Sequence, residues 1–312
     1  MYTYGNTRRG RNGTVVSRRR IVEFPENVAR KAFPKPVGLP KFFIRRAIAS
    51  LCAYPLRSPL TMTATVPDFT SPSSTLPVSG KPSYARAHWY FLAALAAIVA
   101  GFWPSFFRPL GAGDMGRTIH GTTATLWVVT LALQSWLVSR GLVVWHRRVA
   151  RFAVVLLPVL CLSALYVVRV MLTSSAIPPF LRPLLAFIDL PSIAFLLLLF
   201  SLALISRRTP AAHKRFMAAT VLLAFPPALT RLYQILFAPG IEIFTALHAS
   251  FVTVEVILLA LIFTDVRMGE RRLAYPLSLA FFVTLHALMF PLSSAPWWTA
   301  FLGWYAGSPM AS

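Results

Sequence analysis

From Ala87 onward the chain is divided into seven apolar blocks, at approximately 88–107, 118–139, 149–172, 184–206, 214–237, 243–264 and 275–293. At about 1.5 Å rise per residue, each is about 30 Å long as a helix, which matches the hydrocarbon core of a bilayer. Backbone polar groups inside hydrocarbon find no water, so such blocks must satisfy their own hydrogen bonds as helices. Pro104 and Pro109, Pro178 and Pro179, Pro210, Pro239 with Gly240, and Pro296 mark the joints. The sequence therefore predicts an all-α fold, a polytopic transmembrane bundle of seven spans.

Composition agrees. The 312 residues are 56% hydrophobic and 13% charged, against roughly 25% charged in soluble domains. A net charge of +22 suits nucleic acid only if it is concentrated on one soluble face. Here thirteen of the 31 Lys and Arg lie in residues 1–61, and most of the others lie in short loops between blocks. The expected partners are the lipid bilayer and other membrane proteins, not nucleic acid. Cys52 and Cys161 are too far apart in sequence to suggest a disulfide framework or a thiolate metal site.

Residues 1–85 form a separate region, a basic, Pro-rich tail with no stretch of spanning length, and its composition predicts disorder. Arg18-Arg19-Arg20 lacks the apolar run that a twin-arginine signal needs. Within Phe43–Tyr54, apolar residues at helical spacing beside Arg45 and Arg46 suggest a short helix lying on an anionic membrane surface. Met62 is an alternative start, because the whole of the seven-helix domain, 86–312, follows it.

Loop charges set an expected orientation. One side receives Arg140, Arg147, Arg148, Arg151, Arg207, Arg208, Lys214, Arg215, Arg267, Arg271 and Arg272, whereas the other receives Arg108, Arg117 and Arg182. Eleven against three predicts a cytoplasmic N-terminus and an outside C-terminus. Trp89, Trp103, Trp145, Trp297, Trp298 and Trp304 fall near span ends as interfacial anchors, and Trp297–Tyr305 reads as an amphipathic segment on the outer interface.

Ionisable residues inside spans are costly and point to function. Given alternating spans, His120, Arg169, Asp189, Arg231 and His248 fall in the outer leaflet, with Glu255 near mid-depth and His286 at middle to outer depth. Their common depth suggests one outward-facing polar cavity, in which Asp189 meets Arg231 or Arg169 through a guanidinium–carboxylate contact. The same contacts would equally serve to fix helix register. His248 and Glu255, seven apart, share a helix face about 10 Å apart along the axis. A carboxylate there suits proton or cation handling.

The histidines allow a second reading. His120 with His248 on the outer side, and His146 with His213 on the inner side, would suit bis-histidine haem b centres in a cytochrome-like redox protein. Neither a clustered metal-ligand motif nor a Gly-rich phosphate loop or nucleophile elbow occurs, so no metal site and no catalytic set is predicted. Gln134, Trp127 and Trp136 read as helix-packing residues.

Several landmarks carry a resemblance. Ala100-Gly101-Phe102, Pro104, Phe106-Phe107, His120-Gly121, Leu126-Trp127, Gln134 and His146-Arg147-Arg148 are followed by Asp189, Ala212-His213-Lys214-Arg215-Phe216-Met217, Pro227-Ala228, Arg231, Asp265 and Trp297 to Trp304. Over about residues 88–305 this resembles a family of uncharacterised bacterial seven-span inner-membrane proteins. The family usually continues after His146-Arg147-Arg148 with Leu-Gly, where this chain has Val149-Ala150. The resemblance implies the architecture and the bacterial inner membrane and implies no reaction. Three functions stay open: small-solute, ion or proton handling or sensing through the cavity; haem-based redox chemistry; and a structural or assembly role.

Overall fold

The structure is a computed structural model that describes residues 86–109, 114–237, 240–270 and 272–307. The predicted tail, with the Phe43–Tyr54 surface helix, Cys52 and the alternative start at Met62, lies outside the described residues, as do Pro239 and Arg271. Among the described residues the fold is all-α. Its helices are α1 (Ala87–Phe102), α2 (Met115–Ser139), α3 (Val143–Thr173), α4 (Leu181–Ile205), α5 (Pro210–Leu222), α6 (Phe225–Leu236), α7 (Ile243–Arg267), α8 (Ala274–Ser293) and α9 (Pro296–Ala306). Among the described residues six segments are long and apolar enough to cross a membrane, and the bent pair α5–α6 makes a seventh when its two halves are taken as one span. The chain is a multi-span integral membrane protein, as the seven blocks predict.

Proline chemistry shapes the spans. Pro104 lacks an N–H, and α1 widens beyond it into a π-helical turn, Trp103–Phe107, closed by Arg108 N–H donating to the Trp103 carbonyl at 2.9 Å. The fifth span breaks by 42° between Leu222 and Phe225. Pro226 and Pro227 cannot donate to the carbonyls of Leu222 and Leu223, and their rings crowd those same carbonyls, so the helix restarts as α6. Pro158, Pro191 and Pro291 are accommodated inside continuous helices. Val149-Ala150 lies within the unbroken α3, one of whose faces buries Ala153, Leu156, Leu157 and Leu160.

The helices close into a ring in which neighbours are α1–α2, α2–α3, α3–α4, α4–α8, α8–α7, α7–α6 and α6–α1. The broken span supplies two of these contacts through α6, and α5 packs on α4, α8 and α2. Leu199, Ala203, Ala219, Phe251, Val254 and Leu258 are fully enclosed along this central seam. Lipid tails are as apolar as leucine, so close packing rather than escape from water holds such a bundle together. α9 lies across α3, α4 and α8. Its Trp298 is buried and donates to the Pro183 carbonyl at 3.0 Å, which makes it a packing residue where an interfacial anchor was expected.

The α1–α6 contact depends on a missing side chain. A Cβ on Gly101 would collide with the carbonyl oxygen of Ala228 and stand 2.9 Å from its carbonyl carbon, both backbone atoms. Gly101→Val is therefore expected to lower stability in detergent by about 1–3 kcal/mol, whereas Ala100→Val on the exposed face leaves it nearly unchanged. Thermal melting of both variants checks this, and equal melting temperatures would contradict the contact.

Candidate functional site

α7 and α8 bring three of the expected residues into one hydrogen-bonded chain. Glu255 Oε1 lies 2.9 Å from His286 Nδ1, and His286 Nε2 lies 2.8 Å from His248 Nδ1. His248 and Glu255 share the α7 face that their spacing predicts, and His286 crosses from α8 to join them. The rings are held by stacking: His248 on Phe290 at 4.9 Å and 24°, His286 on Phe251 at 5.0 Å and 30°. Glu255 and His286 are each 18% exposed, and His248 stands at the surface of the bundle. The chain thus runs from the protein's outer surface inward, along the groove between two helices.

Its depth follows from helix geometry. His248 is five residues beyond Ile243 and Glu255 twelve beyond it, or about 8 Å and about 18 Å along the helix axis. The sequence places His286 at the right depth but does not show that it bridges the other two; two helices must first be known to be neighbours.

The remaining expected residues go elsewhere. Asp189 is half-buried on α4 and lines a cavity of about 50 Å3 with Leu185, Pro226, Pro227, Thr230 and Phe244, so the space beside the carboxylate is largely apolar. Arg231 is its electrostatic neighbour. The two do not close to an ion-pair contact: the Arg231 guanidinium donates to the Pro227 carbonyl at 2.8 Å and lies 4.6 Å over the Phe102 ring. Arg169 turns instead to α9, its guanidinium beside Gly307 and within electrostatic reach of Tyr305. That places a cation at the negative end of a helix dipole. Tyr305 donates to the Leu165 carbonyl at 2.7 Å, and burial pushes its phenol pKa up, with Arg169 opposing. The single cavity expected from common depth is replaced by four separate placements, the fourth being His120 beside Ser163 of α3, because residues at one depth point around the ring in different directions.

The outer pair expected for haem is also divided. His120 sits on α2 with its Nδ1 3.4 Å from Ser163 Oγ of α3, while His248 is engaged with His286 on α7 and α8. Two imidazoles facing across a slot are needed for bis-histidine ligation, so this pair does not fit. At the other end His146 and His213 are within electrostatic reach of each other, and His213 Nδ1 bonds the Ala203 carbonyl at 2.8 Å. Among the described residues no group of three His, Cys, Asp or Glu is placed to hold a metal ion.

One interaction is hidden in the loop-charge count. Arg215 is not a loop cation: it is 3% exposed and grips Asp265 with two parallel bonds of 2.6 Å, from Nε to Oδ2 and from Nη2 to Oδ1. Nη1 donates to the Ala211 carbonyl at 2.7 Å. The signal was available, since Asp265 and Arg215 sit at span ends on the same side of the membrane. This pair ties α5 to α7 at the basic end, opposite the start of the histidine chain.

Breaking a buried pair leaves an uncompensated charge, which costs about 3–5 kcal/mol. Asp265→Leu and Arg215→Leu should each reduce stability by about that amount, and the double variant should recover most of the loss; denaturation of the three variants in detergent checks this, and additive losses would contradict a coupled pair. No protein-family model, curated protein or solved structure matches the chain, so the functional reading rests on this geometry.

Proposed function

We propose that this protein handles protons in a bacterial cytoplasmic membrane, with the basic end inside, the C-terminus outside, and the Glu255–His286–His248 chain as its conducting element. The observation that carries the reading is the unbroken pair of hydrogen bonds, 2.9 Å and 2.8 Å, between ionisable groups at graded depth. Ionisable chains within spans mark proton paths by default. The loop-charge bias supports the orientation and survives the removal of Arg215 from the count.

The bonding order gives a step-by-step route. With Glu255 ionised, His286 Nδ1–H donates to the carboxylate and its Nε2 accepts from His248 Nδ1–H. That leaves His248 Nε2 as the acceptor at the protein surface. A proton arriving there makes His248 an imidazolium, which releases its Nδ1 proton to His286 Nε2. His286 in turn passes its own Nδ1 proton to Glu255. One proton enters, one carboxylate is neutralised, and both rings end with Nε2 protonated and Nδ1 free. The starting state is restored when Glu255 releases that proton toward the basic end and both rings return to the starting tautomers.

Purified protein in liposomes carrying an internal pH indicator tests the reading. An imposed proton gradient should drive entry through the parent protein, and Glu255→Gln, which keeps an oxygen acceptor for His286, should slow it by about a hundredfold. His286→Phe should do the same while preserving the stack on Phe251. Equal rates for parent, Glu255→Gln and protein-free liposomes would contradict proton handling by this chain.

A further inference from the structure

Among the described residues three buried side-chain atoms have no hydrogen-bond partner: His88 Nδ1, Gln134 Oε1 and His146 Nδ1. All three lie at the basic end, His88 at the start of α1, Gln134 late in α2 and His146 at the start of α3. A buried polar atom left unpaired is costly, and a bound water or ion is what ordinarily answers it. Two of the three belong together. The His146 ring lies against the Gln134 backbone carbonyl and is within electrostatic reach of His213 on α5. α2 packs on both α3 and α5, and His146 and His213 are each the fourth residue of their helix.

The tautomers follow from the carbonyls. Ala203 O, 2.8 Å from His213 Nδ1, holds the proton on Nδ1 and leaves the lone pair on Nε2. In His146 it is Nδ1 that has no partner, so the Gln134 carbonyl takes the Nε2 proton and the lone pair stays on Nδ1. Each ring thus turns one N–H to a backbone carbonyl and keeps the opposite nitrogen free, the arrangement that metal-ligating histidines almost always have. Imidazoles suit zinc and copper, and copper(II) heads the divalent affinity order. Arg147 is within electrostatic reach and opposes added positive charge, whereas Arg148 lies over the Trp145 ring at 4.7 Å and Arg215 is neutralised by Asp265. We propose that His146 Nδ1 and His213 Nε2 hold a divalent transition-metal ion of the copper or zinc class, and that Gln134 Oε1 accepts a hydrogen bond from a water on that ion. The ion ties α2, α3 and α5 together at the basic end and uses atoms that the protein leaves unpaired. It takes nothing from the Glu255–His286–His248 chain and does not depend on it.

Copper(II) added to untagged protein in detergent tests the site by electron paramagnetic resonance, which counts the nitrogens on the ion. Parent and His248→Gln should each bind one ion with hyperfine splitting from two imidazole nitrogens. His146→Gln and His213→Gln should each lose that pattern while melting near the parent without metal. Gln134→Leu should keep the pattern and weaken binding by about ten- to a hundredfold, the scale of losing a supporting partner. Absence of the two-nitrogen pattern in the parent overturns the site, however the variants fold. A pattern lost in His248→Gln, or one that survives both His146→Gln and His213→Gln, places the ion on other imidazoles and overturns it too. So does a Soret band in the purified protein that disappears in His146→Gln, which would assign the pair to haem.

Discussion

Water does not reach the hydrocarbon core, so every polar group placed there must be satisfied by the protein itself. Most of the hydroxyls meet this condition within their own helix. Ser192 donates to the Ile188 carbonyl, Ser201 to Leu197, Thr264 to Ala260 and Ser278 to Ala274, each at 2.7–2.9 Å. Others join helices: Trp127 of α2 reaches Thr220 of α5 at 3.1 Å, and Thr230 of α6 reaches Ser250 of α7 at 3.0 Å. Ionised groups need more, and they obtain it in two contrasting ways. Arg215 and Asp265 saturate each other in an enclosed bidentate pair, which fixes geometry and leaves nothing to exchange. Glu255, His286 and His248 form an open-ended series instead, and an imidazole can pass on whatever proton it receives.

The broken fifth span connects these two ends. Its basic half, α5, carries Arg215, and its other half, α6, lies against α7 near the beginning of the histidine chain. Two prolines produce the 42° bend, and Asp189 faces the prolines across a small, mostly apolar cavity. Span-breaking backbone inside a membrane is tolerated where neighbouring protein covers it, and here α6 packs on α1 and α7 while α5 packs on α4 and α8. α7 thus carries both the static pair and the exchangeable chain, one at each end.

The spans were legible because a helix in lipid is written locally: about twenty apolar residues bounded by Pro, Gly and Arg. The block at 214–237 reads as one span, and in the structure it is two helices because Pro226 and Pro227 act in tandem. The candidate residues were legible by depth, which follows from counting along a helix. Their azimuth was not, since it depends on which helices become neighbours. His248 and Glu255 were placed correctly on one face by their spacing of seven, yet His286 joins them only because α8 packs on α7. Asp189 and Arg231 share a depth and still fail to touch, because Arg231 is drawn to Pro227 and Phe102. Arg215 counts as a loop charge in the sequence because burial of a cation depends on its carboxylate partner, here Asp265 fifty residues away.

The central claim is that one proton can reside at any of three connected groups. Infrared difference spectroscopy of the reconstituted protein across a pH step reads this directly, since a carboxylic acid has a carbonyl stretch that a carboxylate lacks. The account predicts a carboxyl band that appears on acidification, vanishes in Glu255→Gln, and shifts in His286→Phe because the carboxyl O–H has lost His286 Nδ1 as its acceptor. A carboxyl band insensitive to both substitutions would contradict it.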